Sequence, residues 1–160
     1  MNYRKATRED AVFVTNIVQT TKAIVYPRYY PKEVVDFFGQ LHCMEHVVRD
    51  IQEHLVYVLE DHGVMVGTGS YKENHITRVY VLPEFQGKGY GTYIVKELEK
   101  DISRNYNTVT LDASLPACRF YEKNGYRTVE HQEYLCENHA VLVYDIMAKE
   151  INKNNQKIQR

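Results

Sequence analysis

Short stretches rich in valine, isoleucine, leucine and tyrosine recur along the chain between turn residues, a pattern that is typical of β-strands. The predicted strands are residues 3–6, 55–60, 64–71, 76–82, 108–112, 126–130 and 141–147. Asp61-His62-Gly63 lies between two of these stretches and predicts a hairpin turn. The three strands between residues 55 and 82 are therefore expected to pair in antiparallel fashion.

Apolar residues spaced three or four positions apart predict helices elsewhere in the chain. The first helix is expected to begin after a cap at Thr7 and to end at the Tyr26–Pro31 segment. Its predicted buried face consists of Val12, Ile17, Val18 and Ile24. Further helices are predicted over residues 32–49, with a break at Gly39, and over residues 89–104 and 116–123.

The order of these elements indicates an α/β fold with a mixed sheet. One strand and two helices precede three antiparallel strands, and a helix, a strand, a helix and two strands follow. The chain has 160 residues, of which 44% are hydrophobic and 26% charged, so it is long enough for one domain with a substantial core. We predict a single domain over residues 1–150 and a polar tail over residues 151–160.

Charge and cysteine content narrow the class of partner. The net charge of -1 gives no basis for binding nucleic acid or a membrane surface. No apolar run approaches the roughly 20 residues of a spanning helix, and the first residues lack the apolar core of a signal peptide. Cys43, Cys118 and Cys136 are odd in number and widely spaced, which predicts reduced thiols rather than disulfides or a zinc site. We expect a cytoplasmic protein without a metal.

The segment Gln86-Gly87-Lys88-Gly89-Tyr90-Gly91 separates a predicted strand from a predicted helix and forms a candidate anion site. The first amides of a helix have no partner within it, and the helix dipole favours negative charge there. Glycines allow a phosphate to approach the backbone closely. The spacing matches neither the Gly-x-Gly-x-x-Gly of dinucleotide folds nor the Gly-Lys-Ser/Thr of the nucleotide P-loop.

With Val81-Leu82-Pro83-Glu84-Phe85 before it, this segment resembles the pyrophosphate loop of the GNAT family of N-acetyltransferases. A second segment resembles another signature of that family, in which a short helix ends in Phe-Tyr-Glu-Lys-x-Gly-Tyr, here residues 120–126. The resemblance implies a mostly antiparallel mixed sheet that splays between its fourth and fifth strands, with helices on both faces.

The same resemblance implies an acyltransferase that uses acetyl-CoA and no metal. The expected reaction is transfer of an acetyl group to a primary amine by direct attack in a ternary complex. We expect the acceptor to be a small molecule and the protein to form a homodimer. The alternatives are acetylation of a protein N-terminus or lysine, and a non-catalytic sensor of acyl-CoA. A dinucleotide- or ATP-binding domain is disfavoured by the loop spacing.

The family pattern can be carried over to individual residues of this chain. The cofactor residues that it implies are Val79, Tyr80, Val81, Gln86, Gly87, Lys88, Gly89, Tyr90, Gly91, Thr92, Ser114 and Tyr121. Tyr121 matches the tyrosine that is assigned in many members as the general acid that protonates, or hydrogen-bonds to, the departing sulfur. Its alternative role is that of a core tyrosine.

The general base and the acceptor site are less well defined by the pattern. His75 aligns with a catalytic glutamate of some members, and histidine titrates near neutrality, although His75 is equally consistent with a solvated turn residue. Glu73 lies two residues earlier, and His131 and Glu133 are further candidates for the base. The expected acceptor-binding residues are Tyr26, Arg28 and Tyr30.

Overall fold

Seven strands form one sheet in a computed structural model of the chain, which describes residues 1–151. The strands are β1 (Asn2–Lys5), β2 (Val56–Asp61), β3 (Val64–Lys72), β4 (His75–Val81), β5 (Thr108–Ser114), β6 (Arg127–Leu135) and β7 (Val141–Glu150). Their order in the sheet is β1-β2-β3-β4-β5-β7-β6. Only β4 and β5 are parallel, so the sheet is mixed and mostly antiparallel, as predicted.

Five helices cover the two faces of this sheet. They are α1 (Ala11–Val25), α2 (Lys32–Leu41), α3 (Met44–Gln52), α4 (Tyr90–Ile102) and α5 (Cys118–Lys123). Successive side chains of a strand point to opposite faces, and β2 shows the result. Val56 and Val58 pack with α1 and α3, whereas Tyr57 and Leu59 pack with α4 on the other face. The predicted fold class, with helices on both faces, is confirmed.

Two glycines of β3 let α4 approach the sheet closely. A Cβ atom at Gly67 would lie 2.8 Å from Ile94 Cδ1, and one at Gly69 would lie 2.5 Å from Ile94 Cγ2. Any side chain at these positions would push the helix away. The contact therefore fixes α4 against β3, and with it the glycine-rich loop that precedes the helix.

The predicted buried face of α1 is partly wrong. Ile17 and Val18 are fully buried, but Val12 and Ile24 are 58% and 50% exposed. The buried side of the helix consists of Ala11, Val14, Ile17, Val18, Thr21 and Lys22. Two of the buried positions, Thr21 and Lys22, are polar, so a search for apolar residues alone does not select them.

The predicted break at Gly39 is also misplaced. Gly39 lies inside α2, and the chain instead breaks at His42 and Cys43, before α3 begins. The Gln19 side-chain amide of α1 donates hydrogen bonds to the carbonyl oxygens of Gly39 (3.0 Å) and His42 (3.3 Å). This tertiary contact satisfies carbonyls at the end of α2, which helix propensity alone does not reveal.

The strand predicted over residues 126–130 is longer than expected. β6 extends to Leu135 and pairs with β7 along its length, with an irregularity between Thr128 and Glu130. His131 and Glu133 therefore lie within β6 rather than beyond its end. The predicted tail lies outside the described residues except for Ile151. Within residues 1–151, no helix is both long and apolar enough to cross a membrane.

Strands β4 and β5 separate after a short parallel contact. They pair only at His75 with Thr110 and at Ile76 with Leu111. On its other side, β4 contains an extra residue, Thr77, because Arg78 pairs with Ser70 and Ile76 with Tyr71. The bulge lies where the strands part, so one edge of β4 from Thr77 onward faces an opening in the sheet, as the resemblance implied.

Candidate active site

A cavity of about 370 Å³ occupies the opening between β4 and β5. Residues 75–80 of β4 form one wall, and Asp112 and Ser114 of β5 contribute to another. The remaining walls are mostly aromatic or aliphatic, and the side chains that form them come from several elements. They are Tyr26, Phe37, Phe38, Leu41, Tyr121, Tyr134, Leu142 and Tyr144, together with His42 and Ala117. This combination of apolar walls and a few polar groups is typical of a small-ligand site.

Tyr121 extends from α5 to the cavity and is 7% exposed. Its ring packs edge-to-face against Phe120 and Tyr126, with centroid distances of 5.0 and 5.6 Å. Burial, and next the neighbouring Tyr26, raise the pKa of the Tyr121 phenol well above its usual range. The hydroxyl makes no hydrogen bond within residues 1–151 and is therefore a protonated donor available to a ligand at neutral pH.

Three further hydroxyl groups lie together on the cavity wall. The Tyr26 hydroxyl donates to Ser114 Oγ at 3.2 Å and lies 3.5 Å from the Tyr80 hydroxyl. Burial and the proximity of Tyr26 raise the pKa of Tyr80 well above its usual range. Ser114, predicted to contact the cofactor, is thus already engaged by Tyr26, which was predicted to contact the acceptor.

His75 is the candidate base that reaches the cavity. Its Nδ1 lies 3.0 Å from Thr110 Oγ1, and its Nε2 lies 3.8 Å from the Asp112 carboxylate. The side chain is 37% exposed. If the Thr110 hydroxyl accepts from Nδ1–H, the lone pair of Nε2 is free to accept a proton.

The other candidates for base and acceptor contact lie apart from the cavity lining. Glu73 is exposed in the turn between β3 and β4 and has a φ of 56°, and His131 and Glu133 are exposed on β6. The Tyr30 hydroxyl donates to the Val143 carbonyl (3.1 Å) and accepts from the Leu115 amide (2.7 Å), which ties it into the structure. Arg28 is exposed.

The backbone of the glycine-rich loop is arranged to receive an anion. Gly87 and Gly89 have φ values of 76° and 88°, and a Cβ at either position would meet no atom within 4 Å. Gly89 is the residue that caps the 13-residue helix α4. Within the described part of the chain, the amides of Gly87, Lys88 and Gly89 donate to no backbone acceptor. Their open surroundings and the helix dipole fit a phosphate or diphosphate.

The side chains of the loop hold it in place. Gln86 donates from Nε2 to the Val81 carbonyl at 3.0 Å, and Tyr90 donates from its hydroxyl to Asp61 at 2.5 Å. The Lys88 ammonium lies 5.0 Å from the centroid of the Phe85 ring and is exposed. Gly91 differs from Gly87 and Gly89 in having a crowded environment, because a Cβ there would lie 3.2 Å from the Phe120 ring.

A buried polar network behind the cavity was not predicted from the sequence. Arg78 is 5% exposed, and its guanidinium donates to Asp50 (2.6 Å) and to His42 Nδ1 (2.9 Å). Lys22, only 2% exposed, donates to the Phe38 carbonyl. The detectable signal was the presence of a lysine and an arginine within otherwise apolar helix and strand patterns, since such residues are rarely buried without a partner.

Burial and the positive charge of Arg78 lower the pKa of Lys22 to about 6. The lysine is therefore mostly neutral at pH 7, so its position 5.3 Å from the Phe38 ring centroid is not a strong cation–π contact. Burial also lowers the pKa of His42 to about 2, with contributions from Lys22 and Arg78. The imidazole of His42 is neutral at physiological pH.

Comparison with known proteins places this geometry in context. Residues 25–150 match the family described as acetyltransferase (GNAT) domain. The chain is also 35% identical over 71 residues to the uncharacterized N-acetyltransferase YafP of Escherichia coli strain K12. That match covers 44% of this chain and 45% of YafP, so the chain matches less than half of the length of this relative.

Solved structures agree over nearly the whole chain. A GCN5-related N-acetyltransferase from Rhodopseudomonas palustris, described as aminotransferase, class-II, has a TM-score of 0.85 and 25% identity, with coverage of 94% of this chain and 95% of that one. The PaiA N-acetyltransferase of Thermoplasma acidophilum, solved in complex with coenzyme A, has a TM-score of 0.72 and 18% identity, with coverage of 93% and 98%. The latter similarity concerns the fold.

We expect Gly89→Val to weaken coenzyme A binding roughly tenfold or more, because a left-handed backbone costs a residue with a side chain about 1–2 kcal/mol. Lys88→Ala is the matched control and should change the dissociation constant only a few-fold, since the backbone amides remain. Calorimetric titration measures both. Equal affinities of Gly89→Val and the unaltered protein would contradict the assignment of the loop.

We also expect stability to rise with pH between about 6 and 10 because of Lys22. In that range the unfolded lysine binds a proton that the folded one does not, and a full proton corresponds to about 1.4 kcal/mol per pH unit. Chemical denaturation should show this slope diminished in Lys22→Met and retained in Lys96→Met, which alters an exposed lysine. Parallel pH curves for Lys22→Met and the unaltered protein would exclude the effect.

Proposed function

We propose that this chain, which belongs to the GNAT family of acetyltransferases, transfers the acetyl group of acetyl-CoA to the primary amine of a small molecule. The observation that carries the proposal is the cavity between the parted strands, which Tyr121 and His75 both line. A proton donor for the departing sulfur and a proton acceptor for the amine are thus available in one site.

We assign the cofactor to the loop and to the open edge of β4. The amides of Gly87, Lys88 and Gly89 would hold the diphosphate, with the Lys88 ammonium nearby, and the edge at Val79, Tyr80 and Val81 would hold the arm that carries the thioester. When bound, acetyl-CoA supplies an acyl group on a good leaving group. Gln86, by donating to the Val81 carbonyl, joins the two parts of this surface.

The role proposed for Tyr121 is to stabilise the departing sulfur. An ordinary thiol has a pKa of about 8.5, so its thiolate is a weaker base than the phenolate of Tyr121, whose pKa is raised by burial. The phenol therefore acts chiefly as a hydrogen-bond donor to the sulfur. Full proton transfer to the sulfur would require the proton on the phenol to be replaced in the same step.

The role proposed for His75 is to remove the proton of the acceptor amine, directly or through water. A lysine-like amine has a pKa of about 10.4 and must lose a proton before it attacks a thioester. His75 lines the cavity, and its Nε2 lies 3.8 Å from the Asp112 carboxylate. Glu73, by contrast, is exposed in the turn before β4 and is not a lining residue.

A small acceptor is favoured by the size and walls of the cavity. A volume of about 370 Å³ falls at the lower end of the roughly 300–1,000 Å³ that is usual for small-molecule sites. Tyr26 lies on the wall, and we retain it as an acceptor contact. Cytoplasmic location is consistent with the three free cysteines of the described chain. The homodimer stays a prediction.

Tyr121→Phe tests the hydrogen bond that we propose from this phenol to the departing sulfur. We expect turnover to fall by about 100-fold, at the lower end of the range for general acid–base groups, while the dissociation constant of acetyl-CoA changes only a few-fold. Tyr126→Phe is the matched control, because it removes a hydroxyl that binds Glu99 rather than one that faces the cavity. Thiol release with an accepted amine measures the rate, and full activity of Tyr121→Phe would make Tyr121 a core residue only.

The pH profile of kcat/KM tests the proposed base. We expect kcat/KM to rise with pH through an enzyme ionisation that disappears in His75→Ala and persists in Glu73→Gln. Repeating the profile with a second acceptor, whose amine has a lower pKa, distinguishes an ionisation of the enzyme from one of the substrate. Only the ionisation of the substrate moves between the two acceptors. If Glu73→Gln abolishes the ionisation and His75→Ala does not, Glu73 is the base. If neither variant alters the ionisation, ordered water or another residue accepts the amine proton.

A further inference from the structure

His42 presents a fixed hydrogen-bond donor to the cavity. We infer that the accepted amine carries a carbonyl or carboxylate oxygen, which binds to Nε2–H of His42. The inference rests on the proposed function, since it concerns the molecule that shares the cavity with the acetyl donor. It makes His42 a residue that determines specificity.

The tautomer of His42 follows from its partner. The Arg78 guanidinium carries only donors and is charged at all relevant pH values, and its Nε lies 2.9 Å from His42 Nδ1. Nδ1 must therefore accept, which requires its lone pair. A neutral imidazole then carries its single proton on Nε2, and the low pKa of this ring agrees with that state.

The Nε2–H group is unpaired within residues 1–151 and is not sealed off, and it belongs to a residue that lines the cavity. His42 lines the cavity, and its Nε2 is not one of the sealed, unpartnered polar atoms of this part of the chain, which are Tyr3 Oη and Thr21 Oγ1. Because the ring nitrogen that faces Arg78 is already used, the available nitrogen can only donate. A ligand oxygen satisfies it, whereas an ammonium group cannot.

Neighbouring side chains hold both the backbone and the ring of His42 in place. Gln19 binds the carbonyl oxygen of His42 and so holds the end of α2. Arg78, which orients the ring, is itself held by Asp50 at 2.6 Å and lies near Ser70 Oγ at 3.4 Å. Such anchoring reduces the loss of side-chain freedom when a ligand binds, so the hydrogen bond contributes more to recognition.

The polar groups around the cavity would also orient an amine that carries a carbonyl or carboxylate oxygen. The Nε2–H group of His42 cannot accept from an ammonium, whereas the Asp112 carboxylate lies near His75 on another part of the lining. Because Thr77 is bulged, His75 and Arg78 pair with Lys72 and Ser70 of β3, which are two strand residues or about 7 Å apart. An acceptor with its amine and its oxygen at opposite ends would thus place the amine beside the proposed base.

Two measurements test the inference with defined probes. The first compares kcat/KM for hexylamine, 6-aminohexanamide and 6-aminohexanoate, which differ in lacking the oxygen or carrying it as amide or carboxylate. We expect a preference of roughly tenfold for an oxygen-bearing probe, in keeping with one additional hydrogen bond. The amide and carboxylate arms identify which oxygen is recognised.

The preference should depend on His42 alone among the histidines near the end of α2. His42→Phe should reduce the preference to about one. His42→Gln should retain much of it, because the glutamine amide can accept from Arg78 and donate to the ligand. His46→Phe is the matched control, since His46 hydrogen-bonds to the Leu41 backbone and is not itself a cavity-lining residue. Equal preferences in the unaltered protein and in His42→Phe would overturn the inference.

The second measurement is ¹⁵N NMR of the histidine rings, which does not require turnover. The chain has seven histidines, and the signals missing from His42→Gln identify His42. We expect the Nε2–H tautomer from pH 5 to 8 and a shift of Nε2 on addition of 6-aminohexanamide or 6-aminohexanoate but not hexylamine. An Nδ1–H tautomer, or no shift with either oxygen-bearing probe, would overturn the inference.

The two readouts separate this inference from the proposed function. If no amine yields thiol release but Nε2 shifts with an oxygen-bearing probe, acetyl transfer is wrong and recognition by His42 stands. If amines are acetylated without an oxygen preference, acetyl transfer stands and recognition by His42 is wrong.

Discussion

Strands β4 and β5 pair at only two positions, and the rest of the site depends on this short contact. A strand edge that faces the interior carries N–H and C=O groups that need partners. Beyond Ile76 the second edge of β4 has no neighbouring strand, and the bulge at Thr77 turns the strand at that point. The cavity, the proposed cofactor surface and the positions of His75 and Tyr121 all follow from the separation of these two strands.

The buried charges beside the cavity are costly for stability. Removing an ion from water costs several kcal/mol even after the protein relaxes, and a buried pair is often no more stable than apolar residues of similar volume. Arg78 nevertheless lies against Asp50, and Lys22 remains buried by being mostly neutral at pH 7. The network holds Nδ1 of His42 and leaves its single N–H, on Nε2, without a partner in the described chain, which is the state that the inferred ligand contact requires.

The sequence predicted the parts of the structure that depend on local patterns. The strand–loop–helix at Gly87 and Gly89 has the positive φ values that only glycine adopts readily, and the spacing alone indicated it. Tertiary contacts account for the rest. The polar core positions Thr21 and Lys22 displaced the predicted face of α1, and Gln19 together with Arg78 determines where α2 ends. The importance of His42 could not be predicted, because it depends on an arginine 36 residues away along the chain.

The proposed reaction moves an acetyl group from coenzyme A to an amine bound in this cavity. Acetyl-CoA labelled with ¹³C in its acetyl group, incubated with the protein and a panel of small primary amines, tests it most directly by the mass of the products. The account predicts labelled N-acetyl product, with one equivalent of free thiol for each acetyl group transferred. Tight binding of acetyl-CoA with the label retained on the thioester for every amine would contradict the account and indicate an acyl-CoA sensor.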